Sequence, residues 1–204
     1  MAVDAVIIGL GYVGLPLAQE ATRAGLTILG YDINQGVVDD LNAGRSHVDD
    51  LSDADIAEMI GGGFRATTDE SEIAQAPVAV ICVPTPLSDE GGPDLRAVAG
   101  AVDAVARNLQ PGMLVILEST TYPGTTDEVV RPKLEAGGLV VGQDFHLAFS
   151  PERIDPGNEK FGAKNTPKVV GGQTPTCTEA AAEFYGRFVD TIVRARGTRE
   201  AETA

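Results

Sequence analysis

A chain of 204 residues, 43% of them hydrophobic, holds enough apolar material for one sizeable domain, and no run approaches the ~18 to 20 apolar residues that a membrane span needs. Its 30 acidic residues against 15 basic ones leave a net charge of −15, which argues against a nucleic-acid partner, because phosphate contacts need Lys and Arg. With 2 cysteines and 2 histidines there is material for neither a disulfide framework nor a His-rich metal centre.

The start, MAVDAVIIGLGYVG, lacks the basic region and the small-residue cleavage site of a signal peptide, so a cytoplasmic protein with no membrane partner is expected. From there, short β-branched runs alternate with helical stretches. Ala2 to Gly9 reads as a buried strand, Val13 to Ala24 as a helix and Leu26 to Tyr31 as a second strand. Helices are expected near Gln35 to Asn42 and Asp53 to Ile60, with a short strand over Phe64 to Thr67. Pro77 to Val83 is nearly unbroken in its apolar character, as a strand covered on both faces should be; Cys82 within it reads as a small core residue. Leu95 to Leu109 reads as a helix capped by Asp94. Met113 to Leu117 is a strand, Thr125 to Glu135 a helix, and Phe145 to Phe149 and Lys168 to Val170 further strands. A helix over Thr176 to Phe188 takes Thr176 as its cap, with Glu179 close to a capping-box position. A helix start can activate a thiol such as that of Cys177, but no histidine stands near it in sequence. Thr191 to Arg194 is a last short strand, and the final residues, GTREAETA, read as the first turns of a helix that then stops. The alternation predicts an α/β fold, a doubly wound and mostly parallel sheet.

Gly9-Leu10-Gly11-Tyr12-Val13-Gly14 fits G-x-G-x-x-G, and it follows a strand and opens a helix, the context that gives the pattern meaning. Gly9 permits the tight turn, Gly11 lets the backbone approach a pyrophosphate, and Gly14 lets helix and strand pack closely. The helix start, at Tyr12 and Val13, then offers N–H groups and partial positive charge to the phosphates, which is how an acidic protein can hold an anion. Asp32 ends the second strand at the spacing where a carboxylate accepts hydrogen bonds from the adenosine ribose and repels a 2′-phosphate, favouring NAD over NADP. The plainer alternative makes the glycines a structural turn and Asp32 a cap for the next helix.

Three later segments are unusual for a generic dinucleotide domain. Val83-Pro84-Thr85-Pro86 places a stiff turn at a strand's carboxyl end, where ligands bind in such sheets. Glu118-Ser119-Thr120-Thr121-Tyr122-Pro123-Gly124-Thr125-Thr126 crowds five hydroxyls of Ser and Thr between a strand and a helix, more than helix capping by Thr125 or Thr126 requires. Ser150-Pro151-Glu152-Arg153-Ile154-Asp155-Pro156-Gly157-Asn158 sets a carboxylate beside a guanidinium in a proline-bracketed loop, where a surface ion pair is the plain alternative.

Taken together, these segments resemble the UDP-glucose/GDP-mannose dehydrogenase family, over essentially the whole chain. The match runs through residues 9 to 16, Tyr31-Asp32, Val83 to Pro86, Pro93-Asp94-Leu95, Ser119-Thr120, Pro123-Gly124-Thr125 and Ser150 to Arg153. The stretch Ser150 to Asn158 is more similar to the UDP-N-acetyl-hexosamine branch than to the UDP-glucose branch, which tends toward Ser-Pro-Glu-Phe. The resemblance implies a Rossmann-type NAD-binding domain over residues 1–194, with 195–204 starting a truncated connecting helix. It implies that the C6 alcohol of a UDP-sugar is oxidised to a uronic acid in two hydride transfers to NAD⁺, through a thiohemiacetal and a thioester on a cysteine. Gly9, Gly11, Tyr12, Val13, Gly14, Asp32, Thr85 and Thr120 are then cofactor residues. Thr120 and Glu152 are catalytic, Thr120 by placing a water or the reacting oxygen and Glu152 as base for thioester hydrolysis. Glu152, Arg153 and Asn158 meet the sugar. In the family the catalytic cysteine, with its lysine and asparagine, comes from a later segment, so this chain alone is expected to be inactive, and the full-length protein is expected to be a homo-oligomer. Cys82 and Cys177 match no catalytic position. A stand-alone NAD-binding module without catalysis is the alternative from another class. A β-hydroxyacid dehydrogenase of the 6-phosphogluconate type is disfavoured because that group lacks the Val-Pro-Thr-Pro and Ser-Pro-Glu-Arg segments.

Overall fold

The computed structural model describes residues 2–87, 92–152 and 164–204. Among these, the strands are β1 (Ala5–Ile8), β2 (Ile28–Tyr31), β3 (Arg65–Thr67), β4 (Val78–Ile81), β5 (Leu114–Leu117), β6 (His146–Phe149), β7 (Lys168–Gly172) and β8 (Ile192–Arg194). They form one sheet in the order β3-β2-β1-β4-β5-β6-β7-β8. Strands β1 to β6 are mutually parallel; β7 reverses against β6, pairing Ala148 with Gly172 and Phe149 with Gly171, and β8 runs parallel to β7. The first six strands thus carry the doubly wound order whose chain reversal, between β1 and β4, opens a crevice at the strands' carboxyl ends.

The strand sequences follow from being covered on both sides. Ala5 and Ile7 of β1 join one apolar layer with Leu15, Leu17, Ile28 and Phe64, while Val6 and Ile8 join the other with Val98, Val102 and Leu147. The helices are α1 (Gly14–Arg23), α2 (Gln35–Asn42), α3 (Asp53–Gly61), α4 (Arg96–Asn108), α5 (Arg131–Glu135), α6 (Pro175–Tyr185) and α7 (Thr198–Glu202). A side chain buried in either layer is removed from water at about 25 cal/mol per Å² of apolar surface, so Ile7→Ala is expected to cost roughly 2–5 kcal/mol through transfer and cavity together.

Four local expectations are corrected. The cap of α6 is Thr174, whose hydroxyl accepts from the Cys177 N–H at 3.2 Å, not Thr176, and Glu179 pairs with Arg194 instead of closing a capping box. Asp94 does not cap α4: the capping position is Leu95, and Asp94, one residue earlier, accepts from the Arg96 N–H at 3.0 Å while gripping that residue's guanidinium. The continuous helix expected over Thr125 to Glu135 is split into a wide turn, Thr126–Val130, and then α5. Pro132 has no N–H to give, and its ring crowds the carbonyl four residues back, so a regular α-helix cannot run through it. Neither Thr125 nor Thr126 caps that turn: the Glu202 carboxylate does, accepting from the Thr126 N–H at 2.8 Å and its hydroxyl at 2.7 Å.

Candidate functional site

The glycine loop is held from three sides. Gly9 adopts a φ of +90°, and a Cβ there would lie 2.9 Å from the Cys82 carbonyl oxygen. A Cβ on Gly14 would lie 1.9 Å from the Gly9 oxygen, so only glycine lets the start of α1 sit on the loop. Gly11, by contrast, has open space where its Cβ would be. Helix α1 has no side-chain cap at Val13 and no acidic residue in its first turn, so its leading N–H groups and the positive end of its dipole are left for an anion. Tyr12 is half exposed beside them.

Asp32 stands at the end of β2 and accepts from the Leu10 N–H on one oxygen and from the Asn34 N–H on the other, both at 2.9 Å. It does not cap α2; Asn34 does, accepting from the N–H groups of Gly36 and Val37. An ionised carboxylate has about four acceptor positions, so these two bonds leave capacity toward the cleft that Asp32 lines. That cleft, of about 650 Å³, runs from Gly9 and Gly11 past Asp32 and Val37 to Val83, Pro84 and the small residues of α4. Arg96 and Arg107 stand on its far wall, each held by a carboxylate: Arg96 by Asp94, Arg107 by Glu70 at 2.7 and 2.8 Å. The guanidinium of Arg96 holds the Asp94 carboxyl down to about 2.

Next to this cleft, at the same sheet edge, the loops after β4 and β5 are tied together. The Thr85 hydroxyl donates to the Thr120 carbonyl oxygen at 2.5 Å, and the Ser119 hydroxyl to the Val83 oxygen at 2.7 Å. Of the crowded hydroxyls, Ser119, Thr125 and Thr126 are used internally, whereas Thr120 is exposed. Glu152, just beyond β6, is half-buried at this edge. The structure therefore gathers Gly9, Gly11, Tyr12, Val13, Gly14, Asp32, Thr85, Thr120 and Glu152 at the carboxyl ends of neighbouring strands. Arg153 and Asn158, the other two residues expected to meet the sugar, lie outside the described residues.

Sequence reasoning missed three features. Glu118 is buried with Lys168 and Tyr185. Glu202 braces the turn after the hydroxyl-rich loop. Cys177 has a histidine after all, with His146 Nδ1 3.7 Å from its sulfur, yet the thiol is fully buried and sits toward the opposite edge of the sheet. No group of three or more potential metal ligands occurs among the described residues, and no described helix is long and apolar enough to cross a membrane.

Sheet order, glycine turn, uncapped α1 and strand-end carboxylate together define a dinucleotide-binding domain of the doubly wound α/β class. Residues 3–189 match the family described as UDP-glucose/GDP-mannose dehydrogenase family, NAD binding domain, and the chain belongs to that family. It is 36% identical to the UDP-N-acetyl-D-glucosamine 6-dehydrogenase of Pseudomonas aeruginosa, over 90% of this chain and 43% of that protein. It is also 36% identical to the UDP-N-acetyl-D-mannosamine dehydrogenase of Escherichia coli, over 96% of this chain and 48% of that one. The solved UDP-D-ManNAc dehydrogenase of Pyrococcus horikoshii superposes with a TM-score of 0.91 at 33% identity, over 97% of this chain and 48% of that one. The chain spans about half the length of these relatives.

Proposed function

We propose that the chain is the NAD⁺-binding half of a nucleotide-sugar 6-dehydrogenase that oxidises the C6 alcohol of a UDP-N-acetylhexosamine to the uronic acid. The observation that carries this reading is the juxtaposition, at one sheet edge, of a free helix N-terminus, a ribose-height carboxylate and a second set of loops with hydroxyls and a carboxylate. NAD⁺, when bound, supplies the hydride acceptor. The N-terminus of α1 and the open space at Gly11 fit a pyrophosphate, and Asp32 fits a ribose diol. Thr85 holds the backbone of Thr120 so that the Thr120 hydroxyl is offered at the junction of cofactor and sugar. Glu152 takes a proton from water in the hydrolytic step, with Arg153 and Asn158 on the sugar side. Residues 195–204 begin the connection to the rest of the enzyme, and the same reading makes the whole protein a homo-oligomer of the cytoplasm. The names and coverage of the relatives support it, as does the order of the motifs.

Calorimetric titration of the chain with NAD⁺ and, separately, NADP⁺ tests the cofactor half of the proposal. Saturable binding that favours NAD⁺ is expected. Equal affinity for the two would remove Asp32 from the ribose, and no binding of either would remove the cleft as a self-sufficient site.

A further inference from the structure

Helix α7 and the wide turn Thr126–Val130 grip each other through their carboxylates. Glu202, the last residue of α7, accepts from the Thr126 N–H and hydroxyl on one oxygen, at 2.8 and 2.7 Å, and from the Gly124 N–H on the other, at 2.5 Å. In return Asp127, inside the turn, accepts from the Thr198 hydroxyl at 2.9 Å and from the Arg199 guanidinium at 3.1 Å, and the same guanidinium reaches Glu128 at 2.8 Å. Gln173, just past β7, donates to Asp127 as well. The helix is itself seated on the sheet. A Cβ on Gly171 of β7 would lie 2.2 Å from the Gly197 oxygen and 2.9 Å from the Ala201 Cβ, so only glycine allows that approach, and Ala201 is fully buried.

Satisfying the N–H groups of the turn does not call for this arrangement. Ser, Thr, Asn and Asp cap such starts from within the same few residues, and Thr125 is at hand, yet its hydroxyl donates to the Tyr122 oxygen at 2.8 Å. A carboxylate from 76 residues away does something a local cap cannot: it fixes where the turn lies relative to the sheet. The span from there to Thr120 is short. Three residues, Thr121 to Pro123, separate Thr120 from Gly124. The Tyr122 oxygen is held by both the N–H and the hydroxyl of Thr125, and Pro123 has a fixed φ. At its near end the loop is held by Thr85 on the Thr120 oxygen and by Ser119 on the Val83 oxygen. Thr120 is thus slung between two anchors, one on the loop after β4 and one on α7.

We infer that Glu202 is a positioning residue for Thr120: by holding Gly124 and Thr126 against α7 it sets the far anchor of the hydroxyl-rich loop, and with it the place at which the Thr120 hydroxyl is presented. The inference rests on the role proposed above for Thr120 at the junction of cofactor and sugar. A movement of α7 is passed to this loop. The glycine turn is held by bonds of its own, from the Leu10 N–H to Asp32 and from the Gly9 N–H to the Tyr31 oxygen, and is not moved with it. Loss of Glu202 should therefore be felt at one end of a bound dinucleotide and not at the other.

Two readings on Glu202→Gln test it. The amide keeps the size of the side chain but turns an NH₂ group toward one of the N–H donors. Methyl NMR of the free chain follows Thr120, its signal being the one lost in Thr120→Val; in Glu202→Gln that methyl is expected to move and broaden while the Val13 methyls of the glycine loop stay in place. Calorimetry then compares NAD⁺ with ADP, which carries the adenosine and the pyrophosphate but lacks the nicotinamide and its ribose. The affinity for NAD⁺ is expected to fall about tenfold, within the range that substitutions remote from a ligand produce, and that for ADP to stay unchanged. Should Glu202→Gln not fold, Thr126→Val, which removes one donor to the same carboxylate, is expected to give a smaller change in the same direction. An unmoved Thr120 methyl in a folded variant, or equal losses for the two ligands, would overturn the inference. The reading beneath it fails in a different way: NAD⁺ bound as tightly by Thr120→Val as by the native chain would take Thr120 out of the cofactor site, while the response of its methyl to Glu202→Gln persisted.

Discussion

Asp32 does two things with one carboxylate. It pins the glycine loop through the Leu10 N–H and keeps acceptor capacity for a ribose. Asp32→Ala is expected to weaken NAD⁺ binding by about 1–3 kcal/mol, the worth of hydrogen bonds to a charged group, and to narrow the preference over NADP⁺; calorimetry with both cofactors checks it, and unchanged affinities for both would refute the ribose role. Glu118 makes the other residue-scale prediction. Burial, partly opposed by Lys168 and reinforced by Glu152, pushes its carboxyl up to about 7 from an ordinary 4.5. With the folded value above the unfolded one, the folded chain retains a proton that the unfolded chain has lost between those two limits. Stability from this group is therefore fully present below the unfolded value and is lost as pH rises through the folded one, by about 3 kcal/mol at most. Denaturant unfolding at a series of pH values should show that decline in the native chain and a flatter profile in Glu118→Gln. Asp32 was legible in the sequence because its place is set by local spacing from the glycines. Glu118, Lys168 and Tyr185 were not, because their partners lie 50 and 67 residues away and no local period records such a meeting.

At the scale of elements, most of the fold could be read because both faces of the sheet are covered: continuous apolar runs mark the strands, and the stretches between them carry the helices. The errors fell at boundaries, where one side chain decides. The start of α6 offered two threonines, and the residue that resolves the choice is Pro175, which belongs at the first position of a helix because its missing N–H would be unsatisfied there anyway. Thr174→Ala is expected to cost about 1 kcal/mol in chemical denaturation and Thr176→Ala much less; the reverse order would return the cap to Thr176. The role of Glu202 was illegible for another reason, since it caps a turn from 76 residues away.

For the molecule as a whole, the net charge of −15 opposes compactness, and the ion pairs counted on its surface contribute little individually. Added salt should therefore raise the thermal midpoint, as the Debye length falls from about 30 Å at 0.01 M to about 8 Å at 0.15 M. Each kcal/mol regained corresponds to about 2–4 °C for a chain of this size. Scanning calorimetry across that salt range checks it, and a falling midpoint would mean that attractive pairs outweigh the general repulsion.

The reversal of β7 has an architectural consequence. A strand about five residues long spans roughly 16 Å at 3.3 Å per residue. Had β7 followed the direction of its neighbour, its first residue would have stood at the far rim, that distance from Glu118, and the ammonium could not have been delivered there without lengthening the chain. Turning a single strand end for end thus moves a positive charge across the thickness of the domain, and the polarity of one segment sets the electrical character of the rim where the ligands are expected.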